Sequence, residues 1–462
     1  MRMFLSLRSS SQKTVWSWAG IGLFVLSAHS IWAEGPPLAA VAPPLHQPLQ
    51  LSSPLTLNQG LQLFRARAFD LRLADAQVQV AQGDRRAAAA VANPSFSVQA
   101  GPTFNYNPNV EGCSGCQPYA VQWDASDNGA FHSWLSGKRG LRIRSAEAAL
   151  GAAKWNRVDV QRVLEARFKI QYTQVAWAKA ALDFSREQQS SLVQTVKLYR
   201  ARFPGVMDEG ALARIELQKL ESDQAVTTAW MNYRQAQLGL GFLLGMQGEQ
   251  QKIEVEQDML TFRPIRSLQS VSESDLITRA LTHRPDLQSI GWERARALSE
   301  LELAKRERIP DIALITQYSQ LGQGQNGGQP MSISFGISLE LPAFYQQQGD
   351  IQRARADVKT QELSQAKIVS QVVAEVTSAW SVYRTACELV ERMKSEILTR
   401  AKVIRDNVHY QVTKGIAELA LIDFLDAERT YIATHMDYLN QVMAYWTAVY
   451  QLEQAIGEEL NE

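Results

Sequence analysis

The chain has 462 residues, with 47 lysines and arginines against 47 aspartates and glutamates and an apolar content of 45%. A zero net charge leaves none of the basic footprint that polyanion binding requires, which excludes nucleic acid as a partner. Past the N-terminus no run of about 20 apolar residues occurs, so a bilayer crossing would have to be made by strands.

Residues 1–33 carry Arg2, Arg8 and Lys13, then the apolar run from Val15 to Leu26, then small residues up to Ala33. This order of charged, apolar and small is that of a signal peptide for export. Residues 34–54, with Pro36, Pro37, Pro43, Pro44, Pro48 and Pro54, read as a Pro-rich lead-in.

A first unit is expected over 55–246. Residues 56–92 hold Leu57, Leu61, Phe64, Ala68, Leu71 and Ala74 at helical spacing without a proline, and Pro94 ends that helix. From Ser95 to Tyr106 the period drops to two, with Phe96, Val98 and Ala100 alternating against Ser95, Ser97 and Gln99. A return strand is expected near Gly129–Gly137, around Phe131 and Trp134, giving a strand pair over 95–137. The loop between them holds Cys113 and Cys116, which in an exported chain read as a local disulfide. A long helical hairpin spans 140–245, breaking at Pro204-Gly205. Residues 247–272 are polar and irregular and read as an equatorial linker.

The second unit, 273–462, repeats the plan. Asp286-Leu287 matches Asp70-Leu71 and Pro310 matches Pro94, each at an offset of 216 residues. A helix, a strand pair over 311–342 and a long helical hairpin over 349–457 follow, the last breaking at Lys414-Gly415. Ile333, Phe335, Ile337 and Leu339 alternate with Ser332, Ser334, Gly336 and Ser338. Such strands suit either a half-buried soluble sheet or a transmembrane barrel. Proline-free helices of over 60 residues indicate coiled-coil packing instead of an ordinary globular domain. The lone Cys387 lies in one of them and reads as a small apolar residue.

Taken in order, the Ala-rich helix entering Asn93-Pro94, GKRGLRIRSAEAAL at 137–150, FLLG at 242–245, HRPDL at 283–287, LELPAFYQQQGDIQRA at 339–354 and IDFLDAERTY at 422–431 resemble the TolC-like outer-membrane efflux proteins. The LPAF and QQQGDI segments are most similar to the heavy-metal (cobalt-zinc-cadmium type) and nodulation-type branch. The resemblance implies a mainly α fold with a small β part: a homotrimer in which twelve strands close one β-barrel in outer-membrane lipid and twelve helices form a tunnel across the periplasm. It also implies a passive gated conduit for metal cations or small toxic compounds, working with a periplasmic adaptor (membrane fusion) protein and an inner-membrane pump of the resistance-nodulation-division type. Multidrug or type I protein export on the same fold is the nearest alternative, and a periplasmic coiled-coil adaptor the distant one.

No nucleophile motif, phosphate loop or ligand-spaced histidines are present, so no enzymatic activity, cofactor or metal site is expected. The resemblance places an acidic gate at Asp423 and Asp426, whose i, i+3 spacing puts both on one helix face. The competing reading makes them solvated surface acids. Tyr410 resembles a residue that holds closed hairpins together, and is equally readable as a packed helix aromatic. The tips at Pro204, Gly205, Lys414 and Gly415 are expected to meet the adaptor.

Overall fold

In a computed structural model the protein is described over residues 54–102, 119–202, 209–246, 253–320, 331–414 and 421–460. It begins with α1 (Leu57–Arg67), α2 (Phe69–Ala89), β1 (Ser95–Pro102), β2 (Tyr119–Ser126), α3 (Ala130–Leu135), α4 (Lys138–Arg202) and α5 (Glu209–Leu243). Two 3-10 turns, Asp258–Leu260 and Arg266–Leu268, lead into α6 (Glu273–His283), α7 (Pro285–Arg306), β3 (Ile312–Gln320) and β4 (Ser332–Leu339). The second long helix is α8 (Gln348–Arg392), a π-helical turn (Met393–Ile397) and α9 (Leu398–Lys414), and α10 (Leu421–Ile456) returns.

Both halves open with a capping box. The Thr56 hydroxyl accepts from the Gln59 N–H while the Gln59 side chain accepts from the Thr56 N–H, and Ser272 with Asp275 repeats the exchange. Residues 56–92, expected to form one helix, are two, because Ala68 adopts φ −56°, ψ 126° and breaks the chain into α1 and α2. The equivalent kink at Arg284 has a visible cause in Pro285, which drives the preceding residue out of the helical region. A left-handed glycine closes each return helix against its kink. Gly245, at φ +66°, would bring a Cβ within 3.2 Å of the Arg67 carbonyl oxygen, and Gly457, at φ +84°, within 3.4 Å of the Arg284 Cα.

The strands differ from expectation in one place. The return strand expected at 129–137 lies at Tyr119–Ser126, and Phe131 and Trp134 belong to helix α3. Asp127 makes the switch. Its carboxylate accepts from the N–H groups of Gly129 (3.1 Å), Phe131 (3.3 Å) and Leu314 (2.7 Å), pinning the turn to β3. Asn128 and Gly129 then turn the backbone through positive φ into the helix. The four strands form one antiparallel sheet in the order β1-β2-β3-β4.

Helix α4, at 1.5 Å per residue, is a rod of roughly 97 Å. Near the sheet, α2, α4, α7 and α8 lie side by side; farther away, α5, α4, α10 and α8 take over as neighbours. Two equivalent cores sit where the sets change over. One joins Phe64 and Leu71 to Phe168, Tyr172, Leu240 and Ile253; the other joins Leu276 to Val372, Val376, Tyr445, Val449 and Leu452. Cys387 packs partly buried against the second. Residues of the expected linker feed both cores, Ile253 and Val255 the first, Ile265 and Leu268 the second.

Arg284, Lys169 and Glu453, buried at this level, are paired. Arg284, 3% exposed, donates to Asp286 (2.6 Å), to Glu375 (2.7 Å) and to the Ala455 carbonyl (3.0 Å), fastening the α6–α7 kink to α8 and to the end of α10. Lys169 of α4 meets Glu453 of α10 at 2.8 Å. Burial pushes the Asp286 carboxyl up, but the Arg284 hydrogen bonds and charge outweigh it and hold the group below the ordinary carboxylate range. Its ionised form therefore contributes stability at neutral pH that is lost as pH falls through the carboxylate range. Arg284→Met is expected to destabilise the fold by about 3 kcal/mol, since it strands two carboxylates. Thermal unfolding in detergent between pH 7 and pH 4 checks this: the parent should lose stability on acidification and the variant should lose less.

Candidate functional site

The sheet register sorts side chains by chemistry. Phe96, Trp123, Tyr318 and Ile333 share a face through the pairs Val98 with Trp123, Trp123 with Tyr318 and Tyr318 with Ile333. Val98, Val121, Leu314, Phe335 and Ile337 stand on that face with them, and Trp123 stacks on Tyr318 with ring centroids 5.4 Å apart. Phe335 is 82% exposed and Phe96 66% exposed in the single chain. The opposite face carries Ser97, Gln99, Gln122, Asp124, Gln317, Ser319, Ser332 and Ser334. Among the strand residues, Asp124 is the one charge on that face. An apolar face this exposed suits contact with hydrocarbon, and the hydroxyl and amide face suits water. The outer edges of β1 and β4 have no strand partner among the described residues.

At the far end of the hairpins, Asp423 and Asp426 sit one turn apart on the exposed face of α10, while Phe424, Leu425, Ala427, Glu428 and Tyr431 turn inward. Neither aspartate has an ion pair among the described residues. Tyr410 is 59% exposed on α9 and makes no hydrogen bond or ring contact with the described residues. Its neighbour His409 faces α10 instead, with its ring 6.0 Å from Phe424. Lys414 ends α9. Pro204, Gly205, Gly415, Cys113 and Cys116 lie outside the described residues.

Three contacts near this end were not singled out from sequence. Arg429 reaches from α10 to α5, donating to Gln218 (2.6 Å) and Glu221 (3.2 Å), and so ties the second hairpin to the first. Arg405 of α9 lies 4.1 Å over the Tyr431 ring. His435 of α10 stacks on Phe184 of α4 at 4.0 Å, beside Tyr431 and Tyr438. Arg429 and Tyr431 both stand inside the IDFLDAERTY segment, where the acids drew the functional reading. No group of three or more His, Cys, Asp or Glu among the described residues is placed to hold a metal ion.

Burial sets the titration of this cluster. It pushes the Glu428 carboxyl up, against the pull of Arg405. It lowers His435 from its ordinary value of 6.5; Glu187 of α4 pulls the other way and Arg405 of α9 adds to the lowering. The Nδ1 atom of His435 is buried without a hydrogen-bond partner. A histidine held neutral in this way takes up its proton more readily unfolded, so stability falls as pH drops below about 6.5. His435→Phe is expected to flatten the thermal midpoint between pH 7.5 and pH 5.5, where the parent midpoint should decline.

Residues 276–458 match the family model described as outer membrane efflux protein. No curated protein matches the chain in sequence. Solved structures do match. CusC is 18% identical, with a TM-score of 0.69 over 87% of this chain and 92% of its own. The Campylobacter jejuni CmeC outer membrane channel is 15% identical, with a TM-score of 0.70 over 88% and 87%. The open state of the Neisseria gonorrhoeae MtrE outer membrane channel is 16% identical, with a TM-score of 0.68 over 88% and 89%.

Proposed function

We infer that this chain, whose residues 276–458 match the outer membrane efflux protein model and whose fold is that of solved outer-membrane channels, is the channel component of an efflux system, located in the outer membrane and extending into the periplasm. The observation that carries the inference is the sheet: one apolar face, one polar face and two outer edges without a strand partner among the described residues. Strand edges are not tolerated in hydrocarbon, and four strands are too few to close around a lumen, so copies of the chain must lend one another their edges. Cyclic symmetry follows, and three copies give a twelve-stranded barrel. The helices of each chain continue that wall below the membrane as a tunnel.

Transport through it is passive. Energy comes from an inner-membrane pump, of the resistance-nodulation-division type in this reading, handed on by a periplasmic adaptor that meets the hairpin tips around Pro204, Gly205, Lys414 and Gly415. The polar barrel face, with hydroxyls, amides and Asp124, presents nothing that selects one cargo class. The similarity of the 339–354 segment to the heavy-metal branch favours metal cations or small toxic compounds over drugs or secreted proteins.

Asp423 and Asp426 are assigned to the gate, with Tyr410 as a constraint on the closed hairpins. Two carboxylates per chain on one exposed helix face become a ring of six in a trimer, which attracts cations and repels anions. The exposure of both groups and their lack of ion pairs support this assignment. Planar-bilayer recordings of the detergent-purified protein test it, with divalent cation added on the tip side. Small channels blocked by millimolar divalent cation in the parent, and not in the Asp423→Ala, Asp426→Ala double variant, are expected. Channels indifferent to cation and substitution would remove the gate assignment, and no channel at all would remove the conduit.

A further inference from the structure

Between the sheet and the two cores, α4 forms the floor of an open groove of about 550 Å³ whose walls come from α2 and α7. Gly151 shapes it: a Cβ there would lie 2.6 Å from the Trp292 ring, so the missing side chain is what lets the indole of α7 lie against the α4 backbone. Trp155, one turn along α4, exposes a second indole, 38% accessible against 42% for Trp292. Arg85, Arg86 and Lys154 also line the groove, opposed by the single carboxylate of Glu147. Glu147 is taken up by Arg85 at 2.8 Å, while Arg86 and Lys154 are exposed and form no ion pair among the described residues. Two aromatic faces beside two uncommitted cations form a concentrated positive spot on a chain of zero net charge.

The direction in which this groove opens follows from helical geometry. Lys154 lies 18 residues, five full turns, before Tyr172, so both are on one face of α4. Lower down that face is covered by α1 and by residues 253–255. Three copies of that cover would fill a lumen, so the face is the outside of the tunnel. Lys154 is also 16 residues into α4, roughly 24 Å below the end of the sheet. Headgroups of membrane lipids do not reach that far. A ligand at this height is a component of the periplasm itself.

We propose that the groove binds the acidic glycan of the cell wall, a sugar ring lying against Trp155 and Trp292 and the free carboxylates of the muramic acid's peptide stem meeting Arg86 and Lys154. Indole faces accept the apolar side of a pyranose, and guanidinium and ammonium groups are the natural partners of carboxylates. This rests on the channel reading, which puts the groove in the periplasm. The consequence is a tunnel fixed laterally by the wall it passes through.

The test is a calorimetric titration of the full-length detergent-solubilised protein with a soluble disaccharide-tetrapeptide fragment of peptidoglycan, followed in parallel by tryptophan fluorescence. Saturable binding at one site per chain is expected, weakened about tenfold or more by Trp155→Ala and by Lys154→Glu, each removing one contact. The neutral disaccharide chitobiose should bind more weakly by a similar factor, and bilayer conductance of both variants should match the parent. Absence of saturable binding, equal binding by the variants, or preference for a phosphorylated core oligosaccharide overturns the proposal. A parent without conductance would instead count against the channel reading, and the titration in solution remains readable in that case.

Discussion

Much in this molecule depends on the outer edges of β1 and β4, which have no strand partner among the described residues. A strand at the margin of a sheet presents a row of N–H and C=O groups that water can satisfy and hydrocarbon cannot. With one face of the sheet built from Phe96, Trp123, Tyr318, Phe335 and their neighbours, hydrocarbon is where it belongs. In the proposed assembly the edges of β1 and β4 are paired by copies of the chain. The helices that follow β2 and β4 would then be carried into a ring, and their length would set how far the ring reaches.

That reach creates a second difficulty, since long helices side by side need contacts that hold them together along their length. The structure answers with cross-ties at two levels. At the equator, Arg284 and the Lys169–Glu453 pair lock helices from opposite ends of the sequence. Near the far end, Arg429 joins α10 to α5, and Phe184, Tyr431 and His435 form an aromatic cluster. The equatorial ties are buried and the far ones partly open to solvent. The two levels thus differ in burial, the equatorial ties lying within or beside the cores and the far tie of Arg429 to Glu221 open to solvent on both sides.

Much of this was legible in the sequence because the pattern is stated twice. Alternation over Ser332–Leu339 and the absence of proline from the long helices gave strands and rods without ambiguity. The return strand of the first half was misplaced because Phe131 and Trp134 look like a strand's apolar residues, whereas the turn is dictated by three hydrogen bonds to Asp127, a tertiary matter. The kink at Ala68 left no local mark, having neither proline nor glycine, and the close approach of Gly245 to it comes from a distant part of the chain. Near the tips, the acids of IDFLDAERTY are visible in the sequence, but the partners of Arg429 lie on another hairpin, more than 200 residues away. Tyr410 shows the converse. Its position invites a role, yet its neighbour His409 is the residue turned toward α10.

The π-helical turn at Met393–Ile397 interrupts the second long helix, and α4 has no counterpart. One extra residue in a turn advances every later side chain by about 100° around the axis. On the sheet side of that turn each long helix joins the core of its own half. Beyond it, the second long helix carries an offset that the first does not. In the proposed trimer the two hairpins of each chain would offer unlike grooves, and a partner made of identical subunits would have to meet them in two different ways.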